Sequence, residues 1–216
     1  IRSVWVACNT GPHPQEVQGM RRTVAAVAAV AAVLLAGCVP QAPPSPTPSP
    51  TPTFMCTPEA GGTEAPCSEQ EYQKMKAKDA LYAEAEQVYR TYQAEYAKVI
   101  RKGGSTTLSP GLKATIGSPE VSASVLRGLR YFHDNGLRLK GEASVIASAA
   151  REPSRERGGS VVAMTFCVDG RKTTVFKGSK RQGSGIVGID PVYFALRDGS
   201  LRMASVDSKV VSSCGV

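Results

Sequence analysis

The length, composition and charge of the chain limit its class before any motif is considered. The chain has 216 residues, six cysteines and a net charge of +8. With 42% hydrophobic and 20% charged residues, it is too apolar to be a disordered chain. Aromatic residues make up 6%, which is few for an enzyme with a large core. The length suffices for one domain of ordinary size, and no motif in the chain names a reaction.

The N-terminal segment has the order of charges and apolar residues of an export signal. Residues 1–19 show no periodicity, and we interpret them as a non-native segment upstream of a start at Met20. Arg21 and Arg22 then precede an apolar run over residues 23–36. This run is shorter than the roughly 20 residues that a membrane-spanning helix needs. A cleaved signal is therefore predicted, and an uncleaved anchor helix is the alternative.

A cysteine follows the apolar run directly. The four residues Leu35, Ala36, Gly37 and Cys38 resemble the lipobox of bacterial lipoproteins. The resemblance implies that residues 20–37 are a signal peptide and that the Cys38 thiol carries diacylglycerol. A single acyl chain binds membranes only marginally, so the two or three chains of a lipoprotein matter. The expected location is the extracytoplasmic face of the cell membrane.

Four cysteines remain once Cys8 and Cys38 are set aside. Their number is even, and an exported chain is allowed to form disulfides, for which four cysteines permit three pairings. Proximity favours the pairs Cys56–Cys67 and Cys167–Cys214. Zinc binding is the rival interpretation, but the chain lacks a C-x-x-C motif and a histidine near these positions. We expect two disulfides, with no metal and no cofactor.

A proline-rich tract separates the predicted anchor from the rest of the chain. More than half of the residues from Pro40 to Pro52 are proline, and Ser and Thr occupy most of the positions between them. Such a tract stays extended as polyproline II at about 3.1 Å per residue, which would hold a domain roughly 40 Å from its anchor. We interpret residues 38–66 as a stalk. An SH3-type ligand and an O-glycosylated tract are the alternatives.

Residues 67–216 are predicted to form the folded domain, which begins with two helices. Ser68 and Glu71 form a capping-box pattern that starts a long amphipathic helix, which ends at residues 103–104. A second helix is expected over residues 118–136, with serine as its cap and proline at its first position. The connection over residues 108–117 contains proline and glycine and has room for one helical turn.

Beyond the second helix the apolar residues recur with a period of two, which indicates strands. Asp169-Gly170 and Asp198-Gly199 are predicted as tight hairpin turns. The segments 151–159 and 178–185 are polar and glycine-rich and are expected to be mobile hairpin ends. The pattern predicts a half-buried antiparallel sheet. Its expected strands are 137–150, 160–168, 171–177, 190–197 and 200–211.

The order of these elements resembles that of a known group of proteins. A tyrosine-bearing first helix, Gly141, the run 167–169 and the Asp198-Gly199 turn before a terminal cysteine are similar to a group of exported actinobacterial lipoproteins with NTF2-like domains. The resemblance implies an α+β cone in which two N-terminal helices pack on a curved antiparallel sheet. Members often carry tryptophan after the final Asp-Gly, where this chain has Leu201. The fold hosts enzymes, binding pockets and assembly modules.

Two sets of residues are candidates for a functional site. The sheet and the long helix are expected to enclose an apolar pocket, and the candidates for its lining are Tyr92, Tyr96, Phe166 and Phe194. The alternative for the helix tyrosines is a role in the core. Basic side chains in two loops would contact anionic lipid headgroups or wall polymers; they are Arg155, Arg157, Lys180 and Arg181. Their alternative is a solvated face.

The functional expectation is a non-enzymatic, lipid-anchored cell-envelope protein with a binding or assembly domain. Its expected partners are the membrane, another envelope protein or a wall polymer, and nucleic acid is not expected. His133 is the only histidine after Met20, which argues against a Ser-His-Asp triad. One alternative is a cavity enzyme of the isomerase or dehydratase type that uses Asp190, Tyr193 and Asp207. The other is an electrostatic adhesin.

Overall fold

The computed structural model describes residues 53–215. Four predictions lie outside these residues: the upstream segment 1–19, the signal peptide 20–37, the lipidated Cys38 and the proline tract up to position 52. Within the described part, helices and antiparallel strands form an α+β fold, as predicted.

The long first helix has the start and the end that its sequence predicts. Helix α1 spans Glu69–Arg101. The Ser68 hydroxyl accepts a hydrogen bond from the Glu71 N–H, and the Glu71 carboxylate accepts one from the Ser68 N–H at 2.8 Å. These reciprocal bonds satisfy amide donors that the first helical turn leaves free. The helix ends where Gly103 and Gly104 adopt positive φ angles.

The described residues contain three α-helices and a single 3₁₀ turn at Pro153–Arg155, so the expectation of two helices was wrong. Helix α2 spans Pro110–Thr115 and lies inside the predicted connection, and helix α3 spans Pro119–Asp134. In α2 the Ser109 hydroxyl caps the first turn, and Leu112 is completely buried. A helix of six residues is too short to show an amphipathic period. Its burial against the core, which sequence spacing does not reveal, stabilises it.

A small hairpin precedes α1 within the residues expected as stalk. Strands β1 (Phe54–Cys56) and β2 (Ala65–Cys67) pair antiparallel, and a disulfide joins Cys56 to Cys67. Regular secondary structure therefore occurs before the position at which the capping box suggested that the domain starts. Proline and glycine around the hairpin gave the sequence the composition of a linker.

The main sheet is built around one long strand, β8. Strand β5 pairs along one edge of β8, strands β9 and β10 follow one another along its other edge, and β4 pairs with the far side of β5. Asp198 and Gly199 form the predicted two-residue turn between β8 and β9, both with positive φ. The strands are β4 Val145–Arg151, β5 Val162–Asp169, β8 Val187–Arg197, β9 Ser200–Val206 and β10 Lys209–Val211.

A second sheet replaces the single curved sheet that was expected. Its order is β3 (Leu137–Gly141), β6 (Thr173–Lys177) and β7 (Lys180–Ser184). The predicted strand 137–150 is thus broken into β3 and β4, which lie in different sheets, and β7 occupies the segment expected as a loop. Within residues 53–215, two sheets and the N-terminal hairpin account for the strands.

The prediction of a hairpin turn at Asp169-Gly170 was wrong. Strand β5 ends at Asp169 and the chain then enters β6 of the other sheet, so no hairpin forms there. The Gly170 N–H donates to the Ile186 carbonyl at 2.9 Å. A Cβ atom at position 170 would lie 2.9 Å from the same oxygen. Glycine is required here for close backbone packing and not for a tight turn.

The core lies between α1 and the inner face of the main sheet. The Tyr89 ring stacks on Phe166 with centroids 3.9 Å apart, and Phe166 meets Phe194 edge to face at 6.4 Å. Leu129 of α3 and Met203 of β9 are also completely buried. The helices and the sheet therefore share one hydrophobic cluster.

The two glycines that end α1 provide a matched test of the fold. At Gly104 an added Cβ would lie 2.2 Å from the Leu129 carbonyl oxygen, whereas at Gly103 the nearest atom is 3.6 Å away. Gly103→Ala is expected to lower the free energy of unfolding by about 1–3 kcal/mol through backbone strain alone. Gly104→Ala adds a backbone clash and should cost at least about 2 kcal/mol more. Urea denaturation of both variants measures this, and equal losses would contradict the packing of α1 on α3.

Both predicted disulfides, Cys56–Cys67 and Cys167–Cys214, are present. The second closes a loop with a sequence separation of 47, against 11 for the first. In the chain-entropy account the longer loop stabilises the fold by about 4 kcal/mol and the shorter by about 3 kcal/mol. In denaturant titrations, the double variant Cys167→Ala/Cys214→Ala should lose more stability than the double variant Cys56→Ala/Cys67→Ala. Free thiols at these positions in non-reducing peptide maps of the wild type would refute the assignment.

Candidate functional site

A cavity of about 810 Å³ lies between the two sheets and is closed on one side by helices α1 and α3. We call it the inter-sheet cavity. Its volume falls in the range of about 300–1,000 Å³ that small-molecule sites occupy. Most of its lining side chains are apolar; they include Tyr92, Tyr96, Ile100, Phe132, Leu137, Leu139, Val145, Ile146, Val168, Val175, Ile186 and Val206.

The main sheet supplies one wall through a row of residues that are paired across four strands. Ile146 of β4 pairs with Val168 of β5, Val168 pairs with Gly188 of β8, and Gly188 pairs with Val210 of β10. All four line the cavity. Because Gly188 has no side chain, it leaves open space in the middle of this row. A Cβ atom there would meet only the Lys209 carbonyl oxygen, at 3.7 Å.

Helix α1 supplies the wall opposite the sheets with two of the predicted residues, Tyr92 and Tyr96. Their rings are tilted against each other with centroids 5.9 Å apart. The Tyr96 hydroxyl lies against Gly128 of α3, where a Cβ atom would come within 2.6 Å of it. Burial raises the pKa of Tyr96 to about 12 and that of Tyr92 well above the ordinary value. Both phenols are therefore neutral at physiological pH.

The other two predicted lining residues, Phe166 and Phe194, do not reach the cavity. Both are completely buried in the core, where Tyr89 covers Phe166. Strand alternation placed each of them on an apolar face of its strand, and in the structure this is the face that α1 covers. It could not show that the helix closes over this part of the face while the cavity opens further along the strands.

Sequence reasoning named Asp190 but missed the polar cluster that it forms with Tyr89 and Gln93 beside the cavity. Asp190 is 5% exposed and lines the cavity, and the Tyr89 hydroxyl donates a hydrogen bond to its carboxyl group. The Gln93 amide donates to the Tyr89 oxygen at 2.7 Å. Burial raises the pKa of Asp190, and hydrogen bonds from Ser208 and Tyr89 oppose that rise. The helical spacing of residues 89 and 93 and the placement of Asp190 on the inner face of β8 were the available signals.

The three residues named for an enzyme do not converge. Tyr193 lies on the face of β8 opposite Asp190, and the Arg157 guanidinium lies 4.2 Å from its ring centroid. Asp207 forms an ion pair with the same Arg157 at the surface. His133 is exposed and bonds to its neighbour Asp134 at 3.0 Å. Asp190 is thus separated from the other two groups.

The four predicted basic residues lie on two separate segments. Arg155 and Arg157 follow β4, where Arg155 pairs with Glu152 at 3.5 Å and Arg157 pairs with Asp207. Lys180 and Arg181 begin β7 of the second sheet, and Arg181 donates to Ser184 at 2.6 Å. Binding to an anionic polymer or to another envelope protein through these residues stays a prediction.

Residues 53–215 contain no cluster of three or more His, Cys, Asp or Glu side chains that could hold a metal ion. In the same stretch, no helix has both the length and the apolar composition needed to cross a membrane. No family model matches the chain, and no curated protein or solved structure shows significant similarity to it. The function must therefore be argued from the cavity and the sequence.

The buried Asp190 gives the stability of the domain a specific pH dependence. Its pKa is raised from 3.8, so the folded chain keeps this proton to higher pH than the unfolded chain. The contribution of Asp190 to the unfolding free energy therefore falls as pH rises from about 4 to the folded-state pKa. Asp190→Asn removes this decline. The unfolding free energy of the variant relative to that of the wild type should therefore rise with pH, by up to about 1.4 kcal/mol per pH unit.

Urea titrations of both proteins between pH 3 and pH 8 provide the measurement. Tyr89→Phe serves as the companion variant, because it removes a hydrogen bond that lowers the pKa of Asp190. In this variant the decline should extend to higher pH. A difference between wild type and Asp190→Asn that does not change with pH would show that the carboxyl is not perturbed by burial.

Proposed function

We propose that the chain is a lipid-anchored protein of the extracytoplasmic face of the cell membrane whose domain binds a small apolar molecule without transforming it. The observation that carries the binding function is the inter-sheet cavity, which combines a large volume with a mainly apolar wall. The lipobox-like residues 35–38 support the anchor, and the proline tract supports a spacer between membrane and domain.

We further propose that the domain belongs to the NTF2-like class. The order of a long helix, a helix beginning at Pro119 and a run of antiparallel strands supports this assignment. So does the packing of α1 on one face of the main sheet. The separation into two sheets and the extra helix α2 depart from the simplest form of the cone.

A non-catalytic domain is favoured because Asp190 is the one acidic residue among the described lining residues, and its carboxyl is already engaged by the protein. This carboxyl accepts a hydrogen bond from the Tyr89 hydroxyl. The nearby phenols are neutral, and general acid–base catalysis needs partners whose pKa values lie near the working pH. Binding requires only the shape and the apolar wall.

The buried Tyr89–Asp190 pair is an observation that favours a second candidate, a cavity enzyme of the isomerase or dehydratase type. A carboxyl with a raised pKa in an apolar cavity is a common general acid or base. If the protein turns over a small carbonyl substrate and Asp190→Asn abolishes that activity, the domain is an enzyme and the binding proposal is wrong. Saturable binding without turnover supports the proposal.

Gly188→Leu tests whether the cavity is the binding site. The new side chain would project into open space in the cavity wall, and its backbone position tolerates a Cβ atom. The variant should therefore fold and should lose at least about ten-fold in affinity for the uncharged fluorescent probe N-phenylnaphthylamine. Ser148→Leu is the matched control, because Ser148 is exposed on β4 opposite Cys167, whose side chain faces away from the cavity. Equal binding by both variants would place the site elsewhere.

Mass spectrometry of the protein from a bacterial membrane fraction tests the anchor. The wild type should begin at Cys38 and carry diacylglycerol, and Cys38→Ala should lack the lipid and retain residues 20–37. An unmodified Cys38 in the wild type would contradict the lipoprotein assignment and favour the uncleaved helix.

A further inference from the structure

The three strands of the second sheet carry a concentrated positive charge. Strands β3, β6 and β7 together contain five basic residues and no acidic one. All five are exposed; they are Arg138, Lys140, Lys177, Lys180 and Arg181. None of them belongs to an ion pair within residues 53–215. The described carboxylates therefore leave the charge of this sheet uncompensated.

Strand alternation places two of these cations on the face of the sheet that points away from the inter-sheet cavity. Leu137 and Leu139 of β3 are buried and line the cavity. Arg138 and Lys140 alternate with them and do not line it. Because successive side chains of a strand point to opposite faces, both cations lie on the outer face.

The other two strands add an aromatic ring and a third cation to this outer face. Val175 and Gln182 line the cavity, whereas their neighbours Phe176 and Arg181 do not. Phe176 pairs with Arg138 on one side and with Arg181 on the other, so the three form a row across the sheet. We call this surface the basic face; it consists of Arg138, Lys140, Phe176 and Arg181.

The ring of Phe176 lies at the centre of the basic face. It is half-buried, and the Lys140 ammonium lies 4.9 Å from its centroid. Neighbouring strands are about 5 Å apart, so Arg138 and Arg181 flank the ring at backbone separations of that size. The two arginines are thus about 10 Å apart, close to the screening length of about 8 Å at physiological salt. The three cations therefore act on a partner together.

The end of helix α1 extends the positive surface. The Arg101 guanidinium donates to the Gly141 carbonyl at the end of β3, at 2.9 Å. A Cβ atom at Gly103 would lie 3.6 Å from the Arg138 side chain, so the helix end adjoins the basic face. Lys102 is exposed, and neither it nor Arg101 forms an ion pair with a described carboxylate.

The acidic residues that flank β3 in the sequence have partners elsewhere. Glu142 pairs with Lys172 at 2.9 Å, and Asp134 contacts the ring of His133 at 3.0 Å. Neither forms an ion pair with a cation of the basic face. An anionic partner would therefore meet the cations without displacing a carboxylate of the protein.

The combination of cations and a ring favours a bilayer over a soluble polyanion. A soluble polyanion complements the charges and leaves the exposed part of Phe176 in water. A bilayer with anionic lipids offers phosphate groups to the cations and an apolar layer directly beneath them to the ring. The flat shape of a sheet face also matches a planar surface.

We propose that the basic face docks on a bilayer that contains anionic lipid, with its three cations at the head groups and Phe176 at the boundary with the acyl chains. This inference depends neither on ligand binding in the inter-sheet cavity nor on the lipid at Cys38. It can therefore fail while the proposed function survives.

A tryptophan reporter in the basic face tests the docking on the full chain. Trp5 is the only tryptophan of the chain, so Trp5→Phe/Phe176→Trp places the reporter at the centre of the face. Vesicles of phosphatidylcholine are compared with vesicles of equal parts phosphatidylcholine and phosphatidylglycerol, both brominated in their acyl chains. Bromine quenches the reporter only on contact with the bilayer interior. Quenching is expected on the anionic vesicles and not on the neutral ones, and it should fall as salt is raised to about 0.5 M.

The triple variant Arg138→Gln/Lys140→Gln/Arg181→Gln in this background should lower the docking equilibrium constant about 100-fold. The reason is that each basic residue at an anionic bilayer contributes about five-fold. Lys74→Gln/Lys113→Gln/Arg127→Gln is the matched control, because it removes the same charge from exposed positions on the three helices. Its quenching should equal that of the reporter protein. Arg138→Lys/Arg181→Lys keeps the charge and should keep the quenching.

Four outcomes would overturn the inference. Equal quenching on neutral and anionic vesicles would show that the cations do not select the surface. Equal quenching of the triple variant and its control would show that net charge, and not the basic face, determines docking. Loss of quenching in the variant that keeps the charge would assign the residues a structural role. If the reporter responds to inorganic polyphosphate and not to anionic vesicles, the partner is a soluble polyanion.

Discussion

The hydrogen bond between Tyr89 and Asp190 joins the middle of helix α1 to the centre of the main sheet, and the rest of the structure depends on this contact. A buried carboxyl without a partner would cost several kcal/mol, so the bond fixes which turn of the helix lies over β8. The stacking of Tyr89 on Phe166 adds a contact with the neighbouring strand. One turn further along α1, Tyr92 packs against the edge of the core and borders the cavity. The contact therefore divides core from cavity.

The cavity itself results from the division of the strands between two sheets. The chain leaves the main sheet at Gly170 and enters the second sheet, so the strands on either side of this point diverge. Gly188 contributes no side chain to one wall of this gap, which leaves additional open space there. Close packing fills most protein interiors, so a space of this size at a point of divergence is a feature of the fold that a ligand can use.

The hairpin that precedes α1 is held at the N-terminal half of that helix, whereas the cavity lies along its C-terminal half. Lys78 pairs with Glu59 at 3.4 Å and with Glu156 at 2.6 Å, and the Tyr82 hydroxyl donates to Glu59 at 2.6 Å. From Lys78 to Tyr96 the helix rises about 27 Å. The segment that adjoins the proline tract is thus fixed at one end of α1, and the cavity lies at the other.

Signals within a few residues of each other determined much of the local structure. The caps of α1 and α3 and the Asp198–Gly199 turn were predicted correctly because each depends on neighbouring residues alone. The same reasoning could not show that the strand 137–150 is broken between two sheets, nor that Phe166 fills the core while Tyr92 borders a cavity. Asp190 and Tyr89 are 101 residues apart, and no local pattern records their pairing. Only the tertiary structure decided the cavity, because its walls come from elements that are distant in the chain.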